Sequence, residues 1–473
     1  MLVRAKPTVR NSSLAADSSL ARVWTRRRGG RGVAASAGGG FTGERYMVYS
    51  IRVVFNTGRT EPERVTIVSR LLITNAHLLH PEDATRTDLG WLEAADGRIA
   101  ATGTGRPPAA TDGVRVVDAA GGTVLPGLID AHVHLLVTTL DLHDVANWTP
   151  GYATVRALAE AERMLRRGFT TVRDVGGADH GMARALDEGL ALGPRLLHGG
   201  KALSQTGGHG DLRPLGDDAL PCCESRPNFG RIADGVDAVR AAARDEFRKG
   251  ARHLKVLLSG GVASPHDEIA AVQYSEEEIR AAVEEAENHN RYVTVHAYHP
   301  RAIDRALRAG VRCVEHGNLL DDGTIALLLE KRAFLVPTLV AYEQTARLGA
   351  ASGLPPASLG KLAEVRDQGL DALERAHRAG VDLVYGSDLL GPLHPAQLEE
   401  FTLRAQVQPV ADVLRSATTT AARLLGMAGE IGTLAPGAHA DLLVVDGDPL
   451  ADLTVLTRPQ RHLKHVVKAG TPI

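Results

Sequence analysis

Apolar positions along this chain change their period twice. Between Arg64 and Gly127 they recur in short alternating runs, VTIVSRLLITNAHLL, LGWLEAADGRIAATG and VRVVDAAGGTVLPG, broken by Gly and Asp as in a small antiparallel sheet. The chain's end repeats the pattern in AHADLLVVDGD and HVVKAGTPI, so residues 65–122 and 428–473 predict one small β domain, sandwich-like, built from both ends. Between them, residues 123–427 alternate strand-length apolar runs with helical patterns. The strand candidates are TVLPGLIDAHVHL, FTTVRDVGG, PRLLHGGKAL, RHLKVLLSG, RYVTVHAY, VRCVEHG, AFLVPTLV and VDLVYGSDL. Helical stretches such as TVRALAEAERMLRRG, GVDAVRAAARDEFRKG and RAIDRALRAG stop at Gly, a common helix terminator. Strands each followed by a helix or a long loop predict an α/β fold, a (β/α)8 TIM barrel. A doubly wound open sheet is the competitor, but no G-x-G-x-x-G follows the first strand. Long insertions at 204–233 and 341–370 are expected to be loops that enclose a substrate.

Length and charge fit that plan. The 473 residues accommodate a barrel of about 250 residues with a smaller partner. A formal charge of −2 leaves no basic excess for nucleic acid, and no apolar run approaches the roughly 20 residues a membrane helix needs. Three cysteines, Cys222, Cys223 and Cys313, make no disulfide framework and point to a reducing cytoplasm. Residues 1–46 carry Arg26, Arg27, Arg28 and Arg31 without apolar periodicity; they are expected to be a disordered tail, with Met47 as an alternative start.

The chemistry collects where the strand candidates end. His132 and His134 lie two apart in Asp130-Ala131-His132-Val133-His134, so both face one side of a strand and form half of a metal site. Lys255 lies within HLKVLL, where a buried ammonium must pair with a carboxylate or lose its charge, for example as a carbamate formed with carbon dioxide. His296 closes the fifth strand candidate with Tyr298 on the same face, His316 closes the sixth, and Asp388 closes the eighth. Each alone has a bland reading: a hydrogen-bonded core histidine, a paired lysine, a paired carboxylate. Six such residues at the ends of strands one, four, five, six and eight, the face where barrel enzymes build their sites, make coincidence a poor account.

These residues carry a resemblance. PGLIDAHVH, then Lys255, His296, His316 and Asp388 in that order, resemble the binuclear subtype of the amidohydrolase superfamily of metal-dependent hydrolases, over roughly residues 65–473. SQTGGHGD (204–211) and KVLLSGGVASPHD (255–267) are similar to its prolidase-like, imidazolonepropionase-related branch, which cleaves dipeptides or N-acyl amino acids. The resemblance implies that His132, His134 and Asp388 hold one divalent ion, His296 and His316 a second, and carboxylated Lys255 bridges them. Zinc is expected from ligand type and family. A hydroxide between the ions would attack an amide carbonyl, and Asp388 would carry its proton to the leaving nitrogen. Cyclic amides, esters and phosphotriesters stay open as alternative substrates of the same site.

Substrate contacts are expected from His209 and Tyr298, as donors to the developing oxyanion or a substrate carboxylate. Gly260 and Gly261 are expected to let backbone amides approach a carboxylate, and Arg213 and Lys201 are further candidate anchors. Deaminases of the superfamily place a Glu shortly after the fifth-strand His; here Ala297, Tyr298, His299 and Pro300 follow, which disfavours deamination. Neither a phosphate-binding G-x-x-x-x-G-K-[ST] nor a G-x-S-x-G elbow occurs. A non-catalytic scaffold would be expected to have lost ligands, and all six candidates are present. The expected partners are a small-molecule substrate and further copies of the chain.

Overall fold

A computed structural model describes residues 70–213, 227–262, 264, 267–348 and 356–473. The expected tail at 1–46 and residues 214–226 of the first insertion lie outside the described residues.

One sheet takes strands from both parts of the chain. Its order runs Thr471–Pro472, Leu463–Lys468, Leu442–Val445, Thr123–Pro126, Arg70–His80, Thr85–Ala95 and Arg98–Thr104, with Val114–Asp118 beside Arg70–His80. Its hairpins use turns that match strand twist: Asp96 and Gly97 both have positive φ (52° and 76°), as have Ala469 and Gly470 (47° and 77°). Leu71, Ile73, Leu92, Val444 and Val467 bury together and tie the two parts of the chain into one core.

The remaining strands are all parallel. Leu128–Val133, Phe169–Asp174 and Arg195–His198 form one set. The other runs Gly230–Ile232, Ala202–Ser204, Leu254–Leu257, Val293–Ala297, Cys313–His316, Phe334–Val336 and Asp382–Leu383. Backbone bonds link the sets at both ends. Ala131 donates to the Tyr385 carbonyl (2.9 Å), Asp388 to His132 (2.8 Å), and Arg252 to His198 (2.8 Å). The strands read as continuous apolar runs because both faces are covered. In Val293–Ala297, the residues Val293, Val295 and Ala297 pack against helices Val236–Arg248, Glu276–Asn288 and Pro300–Arg308, while Thr294 and His296 point the other way. Helix starts are capped, Ser275 with Glu278 in a capping box and Thr149 ahead of Pro150.

The structure departs from the sequence reading in four places. The end domain, expected as an antiparallel, sandwich-like unit, is one mixed sheet, because Arg70–His80 pairs parallel with Val114–Asp118 and Thr123–Pro126. The run TVLPGLIDAHVHL is two strands: it breaks at Gly127, where a Cβ would lie 2.1 Å from Thr170 Oγ1, and Thr123–Pro126 joins the end sheet. The run PRLLHGGKAL also breaks, at Gly199 and Gly200, because Gly199 packs on the His253 ring and Gly200 takes φ +71°. The expected insertion at 341–370 is largely helical, in Leu339–Leu348 and Pro356–Ala379. Its Gly and Pro residues suggest a loop, yet Leu362, Val365, Ala372, Leu373 and Ala376 are buried at helical spacing. Among the described residues no helix is long and apolar enough to cross a membrane.

Charge is buried inside the parallel strands. Arg173 and Glu315 are fully buried; Arg173 Nη2 donates to Glu315 Oε1 (2.6 Å) and its Nε to the Ala131 carbonyl (2.5 Å). Arg173→Met would strand the carboxylate, at a cost of about 3–5 kcal/mol in denaturant unfolding, and adding Glu315→Gln should recover part of it. Equal stability of wild type and Arg173→Met would contradict this reading of the pair.

Candidate active site

The six candidate ligands converge at the carboxyl ends of the parallel strands. His132 and His134 flank Val133, which packs outward, so the two-residue repeat aims both imidazoles the same way. His132 Nε2 lies 3.2 Å and His134 Nε2 3.4 Å from the same oxygen, Asp388 Oδ1. The rings of His132 and His316 are 5.1 Å apart, and those of His296 and His316 are 4.5 Å apart. His132, His316 and Asp388 offer donor atoms within 4.8 Å of one another. Strict alternation would send Glu315 and His316 to opposite faces. Both reach the interior because His316 takes φ +77°, and Asp388 is turned inward likewise at φ +50°. Left-handed backbone at bulky residues costs energy and is met where a site demands it.

Outer contacts set the tautomers. His132 Nδ1–H donates to Glu315 Oε2 (2.7 Å) and His134 Nδ1–H to the Gly176 carbonyl (2.8 Å), leaving each Nε2 with its lone pair, as metal ligation requires. Asp174 holds the loop bearing Gly176 by accepting from the backbone of Leu135, Gly176 and Ala178. His316 Nδ1 lies 2.9 Å from Thr338 Oγ1 and 2.8 Å from the Tyr342 hydroxyl. Asp130 accepts from the backbone N–H of His132 and Ser387, from the Ser387 hydroxyl and from Gln397 Nε2, which pins together the two turns that bear candidate ligands.

The donor set fits cations. With both Nδ1 atoms protonated, two lone pairs face one carboxylate oxygen, an arrangement that needs positive charge between them. A proton meets the same demand: burial would lower the His134 pKa, but the Asp388 carboxylate outweighs it and raises it. Burial likewise works against an ionised Asp388, yet the facing His132 and His134 hold it well below the usual carboxylate range. Burial keeps His296 and His316 well below the usual imidazole range. Lys255 is 2% exposed and its Nζ makes no hydrogen bond; burial pushes it down to about 8, against the pull of Glu315 and Asp388. A buried, unpartnered amine of lowered basicity suits carboxylation better than an ordinary ion pair.

Tyr298 and His209 line the same cavity. Tyr298 is edge-on to His296 at 4.8 Å and accepts from the Tyr342 hydroxyl (3.4 Å). The His209 ring stacks on His296, with centroids 4.3 Å apart. Gly260 and Gly261 do not line the cavity; a Cβ at 261 would fall 2.0 Å from His209 Cε1, so that glycine makes room for the ring. Arg213 is held by Asp211 and Lys201 borders a separate depression with Glu246, so neither lines the cavity. Its walls are apolar, among them Val137, Leu140, Phe229, Leu257, Leu390 and Leu393. Sequence reasoning missed Glu315, Arg173, Thr338 and Tyr342. The first two were visible as charges within apolar strands; Tyr342 was hidden in a helix read as a loop.

Residues 123–473 match the amidohydrolase family. The ochratoxinase of Aspergillus niger is 33% identical over 364 residues, 73% of this chain and 75% of that protein. A solved prolidase complexed with N-methylphosphonate-L-proline is 45% identical, with a TM-score of 0.83 over 86% of this chain and 99% of that one. A Xaa-Pro dipeptidase with bound methionine is 27% identical, with a TM-score of 0.77 over 86% and 100%. With a clustered set of histidines, a buried lysine and an aspartate at its strand ends, the chain belongs to the amidohydrolase family and is a hydrolase acting on carbon–nitrogen bonds.

Proposed function

We propose that the chain is a binuclear metal-dependent amidohydrolase cleaving the amide bond of a dipeptide, Xaa-Pro type included, or of an N-acyl amino acid. The observation that carries this reading is the buried, unpartnered Lys255 amine among four imidazoles and Asp388 on the floor of an apolar-walled cavity. The 45% identical prolidase supports the dipeptide class. The backbone bonds from Ala131 and Asp388 on one side and Arg252 on the other support closure of the parallel strands into a (β/α)8 barrel.

His132, His134 and Asp388 would hold one ion, His296 and His316 the other, with Lys255, carboxylated by carbon dioxide, between them; zinc suits these ligands. Bound there, divalent ions supply an acidified water and a Lewis acid for the scissile carbonyl. Asp388 accepts the proton of the attacking water on its carboxylate and delivers it to the leaving nitrogen. The Tyr342 hydroxyl donates to the Tyr298 oxygen, which leaves the Tyr298 hydrogen for the substrate carbonyl oxygen. The apolar walls exclude water and accept a bulky apolar substituent.

Protein reconstituted with zinc and bicarbonate should hydrolyse Xaa-Pro dipeptides or N-acyl amino acids, and chelator should abolish turnover. Reaction of only a cyclic amide or a phosphotriester in the same panel would overturn the substrate class. Asp388→Asn should lower kcat by orders of magnitude with an unchanged circular dichroism spectrum; retained turnover would remove its role.

Lys255 makes a separate prediction for metal-free protein in buffer free of carbon dioxide. Its folded-state pKa of about 8 lies below the ordinary 10.5, so between these values the unfolded chain binds more protons. Its contribution to stability therefore rises with pH across that window. Lys255→Met should flatten the rise in urea unfolding, and an identical pH profile in the variant would place the amine in contact with solvent.

A further inference from the structure

His209 is held from outside the cavity by two paths that end on one carboxylate. Its backbone N–H donates to Gln273 Oε1 (3.0 Å), and Gln273 Nε2 donates to Asp267 Oδ2 (3.0 Å). Its ring Nδ1 meets Ser264 Oγ at 2.8 Å, and the Ser264 hydroxyl in turn contacts Asp267 Oδ1. Ser264, Gln273 and Asp267 are all buried. The direction of each bond follows from what each group can do. The backbone N–H requires an acceptor and the carboxylate requires a donor, which fixes the Gln273 amide one way round. Ser264 has one hydrogen and three candidate acceptors in reach, His209 Nδ1 at 2.8 Å, the Gly261 carbonyl at 3.2 Å and the nearer, charged Asp267 oxygen; the carboxylate takes it. The Ser264 oxygen is then an acceptor, so His209 Nδ1 carries a hydrogen and the neutral ring leaves Nε2 with its lone pair, an acceptor and not the expected donor to an oxyanion or a substrate carboxylate.

The carboxylate is itself anchored. Lys361, on helix Pro356–Ala379, has its ammonium 3.7 Å from Asp267 Oδ1 and donates to the carbonyls of Gly261 (3.3 Å), Ser264 (2.9 Å) and Asp267. The ring is confined further by His296, which stacks on it, and by Gly261, whose bare Cα leaves it room.

We propose that Asp267 is a positioning residue that, through Ser264 and Gln273, sets the place and tautomer of His209 and so presents His209 Nε2 to the substrate. The proposal rests on reading the histidine cluster as the reaction centre, and its test separates the two. In protein labelled with 15N-histidine, the resonance that disappears in His209→Gln should show a protonated Nδ1. Asp267→Ala and Ser264→Ala should shift it towards mixed tautomers, whereas Ser264→Thr, which keeps the hydroxyl, should not. An unshifted resonance in Asp267→Ala overturns the relay whatever the enzyme hydrolyses.

In kinetics on whichever amide is cleaved, Ser264→Ala and Asp267→Ala should each lower kcat about 10- to 100-fold with bound metal unchanged, and Ser264→Thr should restore most of it. Asp267→Ala combined with His209→Gln should be no slower than His209→Gln alone. Multiplying losses in the double variant, or loss of bound metal in Asp267→Ala, would give Asp267 a structural role and overturn the proposal. Silence of the wild type on every substrate would defeat the proposed function and leave the resonance to decide the relay.

Discussion

A carboxylate with no exposure to water must be paid in charge and hydrogen bonds, and Glu315 is where this structure meets that requirement. Burial pushes its pKa up, but the Arg173 guanidinium, aided by Lys255 and His132, holds it well below the usual range. Its oxygens accept from Arg173, Thr294 and His132, so one side chain joins the strands Phe169–Asp174, Val293–Ala297, Leu128–Val133 and its own. The bond to His132 also fixes which ring nitrogen keeps its lone pair. Fold and candidate site therefore share an ion pair: what joins the strands also orients a candidate ligand. Buried pairs rarely add net stability over apolar packing, so Arg173 and Glu315 are better understood as the cost of aiming His132.

The candidate site was legible in the sequence because it breaks the apolar pattern. His132, His134, Lys255, His296, His316 and Asp388 stand out as groups that an apolar strand has no reason to carry. Their supports were not legible in the same way. Glu315 and Arg173 carry the same signal, but nothing local says that they meet across 142 residues of chain. The turns of His316 and Asp388 into left-handed backbone leave no mark on composition, although without them alternation would point His316 away from Glu315. In the fold, alternation of strand and helix was readable; the breaks at Gly127 and Gly199 were not, because they answer to Thr170 and His253, distant in sequence. The helices at 339–348 and 356–379 were obscured by Gly and Pro: Pro356 opens the second, where proline is tolerated, and Gly369 lies in its middle, where a Cβ would meet Asn318 Nδ2 at 2.7 Å.

Two sources of geometry meet in the cavity. Its floor belongs to strand ends whose positions follow from backbone ladders and buried charge. Much of its wall comes from outside the strands: Leu140, Phe229, Leu390 and Leu393, with Tyr342 from helix Leu339–Leu348. Tyr342 couples the two, since its hydroxyl touches both His316 Nδ1 and Tyr298. That helix is in turn held at its start, where the backbone N–H of Val340 donates to Glu400 Oε2 (2.8 Å). Glu400 is fully buried and burial pushes its pKa up to about 8, so a carboxyl far from the histidines helps to place a hydroxyl beside them. Phe229 also reaches the floor, its ring edge-on to His134 with centroids 6.2 Å apart. Wall and floor therefore meet at two places, the helix bearing Tyr342 and the loop bearing Phe229.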